Sequence, residues 1–211
     1  MTTPTPGAPP TPRRRTHVVI VIDRSGSMGS LRGAVVEEAN RFLERLDPTD
    51  VVTIVQFDGH APYDLVVDGV PAAEVTPIAY EQYEPRGSTP LLDAVGTAIT
   101  RTAGAVARDA VLGTETVVVL GVITDGFENA STDYTEHQVS DLVEHYQDRG
   151  WQIIYSGLGT GAATHAASAA LKVRRHKSVA RTKDRGGLRA SFADLSVDVA
   201  ESRAPRRSEE S

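Results

Sequence analysis

Residues 17–22, His-Val-Val-Ile-Val-Ile, form an unbroken apolar run that ends at Asp23. A strand with one wet face alternates apolar and polar residues. A run without alternation is the pattern of a strand covered on both faces, as in parallel sheets packed between helices. The rest of the chain agrees. Leu31, Val35, Ala39, Phe42, Leu43 and Leu46 recur at helical spacing, and Asp47-Pro48 ends that helix. Residues 51–57 read as a second strand and residues 63–67 as a third, close enough to pair as a hairpin. Leu91, Leu92, Val95, Ala98 and Ile99 form another helical stripe, with Pro90 near its first turn, where a missing N–H costs nothing. Residues 116–124 are the most apolar strand. Val139, Leu142, Val143 and Tyr146 mark a helix stopped by Gly150. A strand at 151–156, a helix at 162–171 and a short strand at 178–180 follow. Leu188, Phe192, Leu195 and Val199 share one stripe of a closing helix. There is no internal repeat. This order predicts an α/β fold: a doubly wound, mostly parallel central sheet with one antiparallel edge strand and helices on both faces.

The chain of 211 residues is long enough for one domain with a sizeable core. Residues 1–15 are rich in proline and end in Arg13-Arg14-Arg15, the composition of a disordered tail with a solvated flank. Residues 202–211 are polar and read as a second loose tail, which leaves 16–201 as the folded domain. A net charge of −6 argues against general nucleic-acid binding. With no cysteine there is no disulfide, thiolate metal site or cysteine nucleophile, which fits a reducing compartment. No apolar run is long enough to span a membrane, and the Thr/Pro-rich first residues lack the hydrophobic stretch of a secretory signal. The cytoplasm is the expected location. Abundant Arg, Ala and Val match the bias of GC-rich coding and point to a bacterial source.

In open parallel sheets, ligands bind outside the carboxyl ends of the strands. Three loops there carry chemistry: Asp23-Arg24-Ser25-Gly26-Ser27 after the first strand, Gly87-Ser88-Thr89 before the second helix, and Asp125-Gly126 after the strand at 116–124. Each has an ordinary local reading. The serines and Thr89 can cap helices, and Asp-Gly is a common turn. Together they read differently. Two carboxylates about 6 Å apart repel by roughly 3 kcal/mol at an effective dielectric of 20, so Asp23 and Asp125 need a proton or a cation between them. A hard divalent ion suits an oxygen-only donor set with three hydroxyls, and no lysine lies in the three loops.

On these residues the chain resembles a von Willebrand factor A domain over about residues 16–200. Asp23-x-Ser25-x-Ser27, Thr89 in Gly-Ser-Thr-Pro-Leu, and Asp125 in Ile-Thr-Asp-Gly are similar to that family's metal-ion-dependent adhesion site, and the flanking sequence is similar to small bacterial intracellular members. The resemblance implies that Ser25, Ser27 and Thr89 bind Mg²⁺ or Mn²⁺ directly or nearly so. It implies that Asp23 and Asp125 act through water, and that a last position is left for an Asp or Glu of a partner protein. It implies no enzymatic activity. Strand alternation points Arg24 away from Asp23 and Ser25, as a plain surface residue or a partner contact. Glu128 and Asn129 read as support for the site or as a capping turn, with no metal role.

Other chemistries fit less well. Asp23 at a strand end is similar to the nucleophile of haloacid-dehalogenase-like phosphatases, which use Mg²⁺. Those enzymes carry a second acid two residues on, where this chain has Ser25, and no convincing lysine stands in the matching later loops. A serine hydrolase would need Gly-x-Ser-x-Gly, which is absent around Ser25. The glycines at 157, 159 and 161 lack dinucleotide-binding spacing and follow a late strand. The six histidines lack zinc-protease spacing.

Overall fold

In the computed structural model, which describes residues 13–159 and 161–203, β1 (Arg13–Asp23) is buried from Thr16 to its end. Val18, Ile20 and Ile22 project to one face of the sheet and Val19 and Val21 to the other, all without solvent contact. The unbroken apolar run at 17–22 therefore fills two cores at once. β2 (Val51–Asp58) and β4 (Thr114–Thr124) flank β1, both parallel to it. β3 (Ala61–Pro71) pairs antiparallel with β2, and β5 (Gln152–Leu158) and β6 (Ser178–Arg181) extend the other side in parallel. The strand order is β3-β2-β1-β4-β5-β6, a mostly parallel, doubly wound sheet with one antiparallel edge strand.

Helices cover both faces. α1 (Arg32–Leu43) and α5 (Arg185–Ser202) close one core, where Phe42 and Phe192 meet at 5.8 Å between ring centroids. α2 (Leu91–Val111) and α3 (Glu136–Asp148) close the other through Val95, Ile99, Val139 and Val143. α4 (Gly161–Ala170) packs beside β5 and β6. A Cβ at Gly157 would collide with Thr164 of α4, so this glycine allows close helix-to-strand approach. Among the described residues no helix is long and apolar enough to cross a membrane.

One boundary moves. Arg13-Arg14-Arg15, expected in the tail, are the first residues of β1, paired with Thr114, Glu115 and Thr116 of β4. Pairing with β2 starts only at His17, so the arginine side chains stay exposed while their backbone joins the sheet. Arg15 meets Asp109 at 3.3 Å, and Arg14 donates to the Ser202 carbonyl at the end of α5. Residues 1–12 and 204–211, the remainder of the two expected tails, lie outside the described residues.

Candidate functional site

The chain leaves β1 toward α1 on one face and leaves β4 toward α3 on the other, so the two loops diverge. A crevice opens between them at the carboxyl ends of the strands. Asp23 ends β1 with no solvent exposure, and Ser25 is 1% exposed. Asp23 Oδ1 accepts the Ser25 N–H at 2.7 Å, and Oδ2 accepts the Thr124 hydroxyl at 2.6 Å. Tyr83 fixes the backbone here, donating its hydroxyl to the Asp23 carbonyl at 2.5 Å. Burial holds the Asp23 carboxyl above the usual carboxylate range. Hydrogen bonds from Thr124 and Ser25 pull it down, and the charge of Asp125 pushes it up again.

The hydroxyls converge. Ser25 Oγ lies 3.0 Å from Ser27 Oγ, and Ser27 Oγ donates to Asp125 Oδ1 at 2.6 Å. A Cβ at Gly126 would stand 3.1 Å from Thr89 Oγ1 and 3.6 Å from Asp23 Oδ2, so this glycine brings both side chains against its backbone. All five expected residues thus gather at one crevice. Their local readings are also resolved. Ser25 precedes the short turn Gly26–Leu31 without capping it, and Thr89 does not cap α2. The first-turn amides of α2 are met instead by Glu128 Oε2 on Leu92 N–H at 2.8 Å and Ser131 Oγ on Asp93 N–H at 3.1 Å. Glu128 is therefore part of a capping turn. Asn129 supports the site, because its Oδ1 accepts the Thr89 N–H at 2.8 Å. Among the described residues no group of three His, Cys, Asp or Glu side chains is placed to hold a metal ion.

Arg24 is a correction. It is buried, not a surface residue. Its Nε donates to Asp58 Oδ2 at 2.7 Å, and its Nη1 to Gln56 Oε1 at 2.8 Å and Asp64 Oδ2 at 2.7 Å. Alternation does turn it away from Asp23, but the space on that side is filled by the ends of β2 and β3. Lys183 is the residue that sequence reasoning missed. The three loops carry no lysine, yet a fourth loop, between β6 and α5, brings Lys183 Nζ within 2.6 Å of Asp125 Oδ2. That oxygen is buried and accepts no well-aligned hydrogen bond. Only the order of strands beyond β4 could have revealed this approach.

The space at the site is small. A hollow of 110 Å³ beside Asp125 is lined by Phe127, Tyr155, Gly157 and Thr164, well below the roughly 300–1,000 Å³ of a metabolite pocket. Asp23 is fully buried, and each of its oxygens accepts a hydrogen bond. Ser27 and Phe127 face solvent, Phe127 being 60% exposed. A wider cleft of 540 Å³ lies at the opposite ends of the strands, lined by Arg15, His17, Thr53 and Arg101, away from this chemistry.

The profile of the von Willebrand factor type A domain matches residues 17–174. The chain belongs to the von Willebrand factor type A family. The family is one of metal-dependent protein interaction and adhesion, and its members are mostly non-enzymatic. A comparison with curated proteins found no match. Solved structures show the same fold at low identity. The von Willebrand factor type A protein from Catenulispora acidiphila is 16% identical with a TM-score of 0.59, over 88% of this chain and 42% of that one. Manganese-loaded TRAP protein from Plasmodium vivax is 14% identical with a TM-score of 0.57, over 86% and 73%. The von Willebrand factor domain of the type V pilus tip protein Mfa5 from Porphyromonas gingivalis is 12% identical with a TM-score of 0.61, over 95% and 99%. This type A domain spans less than half the length of the Catenulispora protein and of proximal thread matrix protein 1 from the mussel byssus, at 42% and 46%.

Proposed function

We propose that this domain binds Mg²⁺ or Mn²⁺ through Asp23, Ser25, Ser27, Thr89 and Asp125, and grips an aspartate or glutamate of a partner protein through the ion. The observation that carries the reading is the convergence of three uncapped hydroxyls with two carboxylates in one crevice. The residues fit a hard cation. Every donor is oxygen, and the buried Asp125 Oδ2 is met by a cationic group, the Lys183 ammonium, rather than by a neutral hydrogen-bond donor. The manganese in the Plasmodium vivax relative agrees with that chemistry. When bound, the ion supplies a positive centre whose charge the neutral hydroxyls leave largely uncancelled, and that centre attracts a carboxylate. The chain's own residues set the rest. Tyr83 and Thr124 hold Asp23 inward, Asn129 holds Thr89, and exposed Ser27 marks the open side. Phe127, exposed beside Asp125, offers an apolar contact to a protein surface.

Mg²⁺ at about ten times its Kd is expected to stabilise the fold by about 1.4 kcal/mol, a rise in melting temperature of roughly 3–6 °C. Asp23→Ala and Ser27→Ala should each lose that rise. Ser27 is exposed, so its substitution tests the site without opening the core. A melt unchanged by Mg²⁺ in the unaltered protein removes the metal. A partner captured from source extract should be released by EDTA, and one that stays bound rules out an ion-bridged carboxylate.

A further inference from the structure

Lys183 is one of three lysines in the chain, with Lys172 and Lys177. Its ammonium lies 2.6 Å from Asp125 Oδ2, the buried oxygen that no well-aligned hydrogen bond satisfies. The backbone on either side is fixed. Asp184 caps α5 by accepting the Gly187 N–H at 2.8 Å, and Thr182 donates its hydroxyl to the same carboxylate at 3.0 Å. The side chain is less confined, with 37% of its surface exposed. A long flexible arm on a fixed base can therefore leave the crevice while the loop stays in place.

The charges make its departure consequential. Asp23 and Asp125 share the crevice and repel as like charges, and Lys183 meets the second of them. An ammonium and a divalent ion seek the same carboxylate, and their like charges oppose joint occupancy of so small a space. We propose that Lys183 is a tethered counter-cation: it neutralises Asp125 when no divalent ion is bound, and is displaced into solvent when one binds. This inference rests on the metal reading above. The displaced ammonium stays at the rim of the crevice, so ion binding also changes the charge that an approaching protein meets.

Amine acetylation of the full chain followed by peptide mass spectrometry tests the exchange, with Lys172 and Lys177 as internal references. Saturating Mg²⁺ should raise labelling of Lys183 several-fold relative to both. Calorimetry with Mg²⁺ on the same sample reports whether the ion binds at all. If Mg²⁺ binds and Lys183 labelling is unchanged or falls, the exchange is overturned and the metal reading stands. If no Mg²⁺ binds, the metal reading falls and the exchange falls with it. In a second experiment Lys183→Met, which removes the competing charge and keeps the aliphatic arm, should bind Mg²⁺ about tenfold tighter and melt lower than the parent in EDTA. Equal or weaker Mg²⁺ binding by this variant would mean that Lys183 helps to build the site rather than competing for it, and overturns the proposal.

Discussion

Arg24→Met is expected to lower folding stability by about 3–5 kcal/mol, because it leaves a buried carboxylate without its principal partner. Asp58 has no exposed side-chain surface. Burial alone would raise its carboxyl. The His60 amide, the Arg24 guanidinium and the Ala61 amide overcome that and hold it below the usual range. Arg86 reaches the same oxygen from 3.3 Å but is far more exposed. At roughly 2–4 °C per kcal/mol for a domain of this size, the melting temperature should fall by about 10 °C. Two comparisons separate the mechanism from lost packing. Asp58→Asn combined with Arg24→Met removes the stranded charge and should recover part of the loss. Asp64→Asn, at a 44% exposed partner of the same guanidinium, should cost less than about 1 kcal/mol. An Arg24→Met protein that melts within a degree or two of the parent would show that Asp58 is adequately held by backbone amides. Arg24 lies between Asp23 and Ser25, and its carbonyl accepts the Arg86 N–H at 2.9 Å. The same variant should therefore weaken any response to Mg²⁺.

Arg24 also shows where reading the sequence stops. Alternation along β1 gives the direction of a side chain, and that direction is correct. It does not say what fills the space, because Gln56, Asp58 and Asp64 arrive from 32 to 40 residues away. Asp23, Thr89 and Asp125 were legible for the opposite reason. Each ends a strand or precedes a helix, and in a parallel sheet those positions share one edge whatever the packing. The apolar run at 18–22 was legible because burial on both faces selects an apolar side chain at every position, whereas the polar His17 beside it is buried without any such signature. Arg13-Arg14-Arg15 were misread as tail because charge reports solvent around side chains. The backbone N–H and C=O groups that pair with β4 carry no sequence signature. Lys183 was invisible because its approach depends on β6 lying beside β5, a four-residue strand whose place no periodicity sets.

The second large effect is acid sensitivity through His17, at the opposite end of the strands from Asp23. Folding stability should fall by about 2 kcal/mol between pH 7 and pH 5 from this residue alone. His17 is 5% exposed, and burial lowers its pKa from 6.5 to about 4. Asp109 and Asp68 pull the value up and Arg15 pulls it down, but burial outweighs them. The local bonds agree with a neutral ring. His17 Nε2 lies 2.8 Å from Thr53 Oγ1, which also accepts the Gly69 N–H at 3.1 Å, and a neutral imidazole can fill either role in that pair. The sign follows from which state takes the proton. Below pH 6.5 the unfolded chain protonates this imidazole and the folded chain does not, so stability is full above that value and is lost at about 1.4 kcal/mol per pH unit down to pH 4. Asp58, held low, keeps its contribution across this window and loses it only at lower pH, while Asp23, held high, acts in the opposite sense. Both remain in His17→Gln, which keeps an acceptor for Thr53 and cannot titrate. Urea unfolding at pH 7, 6 and 5 should therefore give a flatter profile for His17→Gln than for the parent, and parallel profiles would mean that the buried ring takes up its proton without cost.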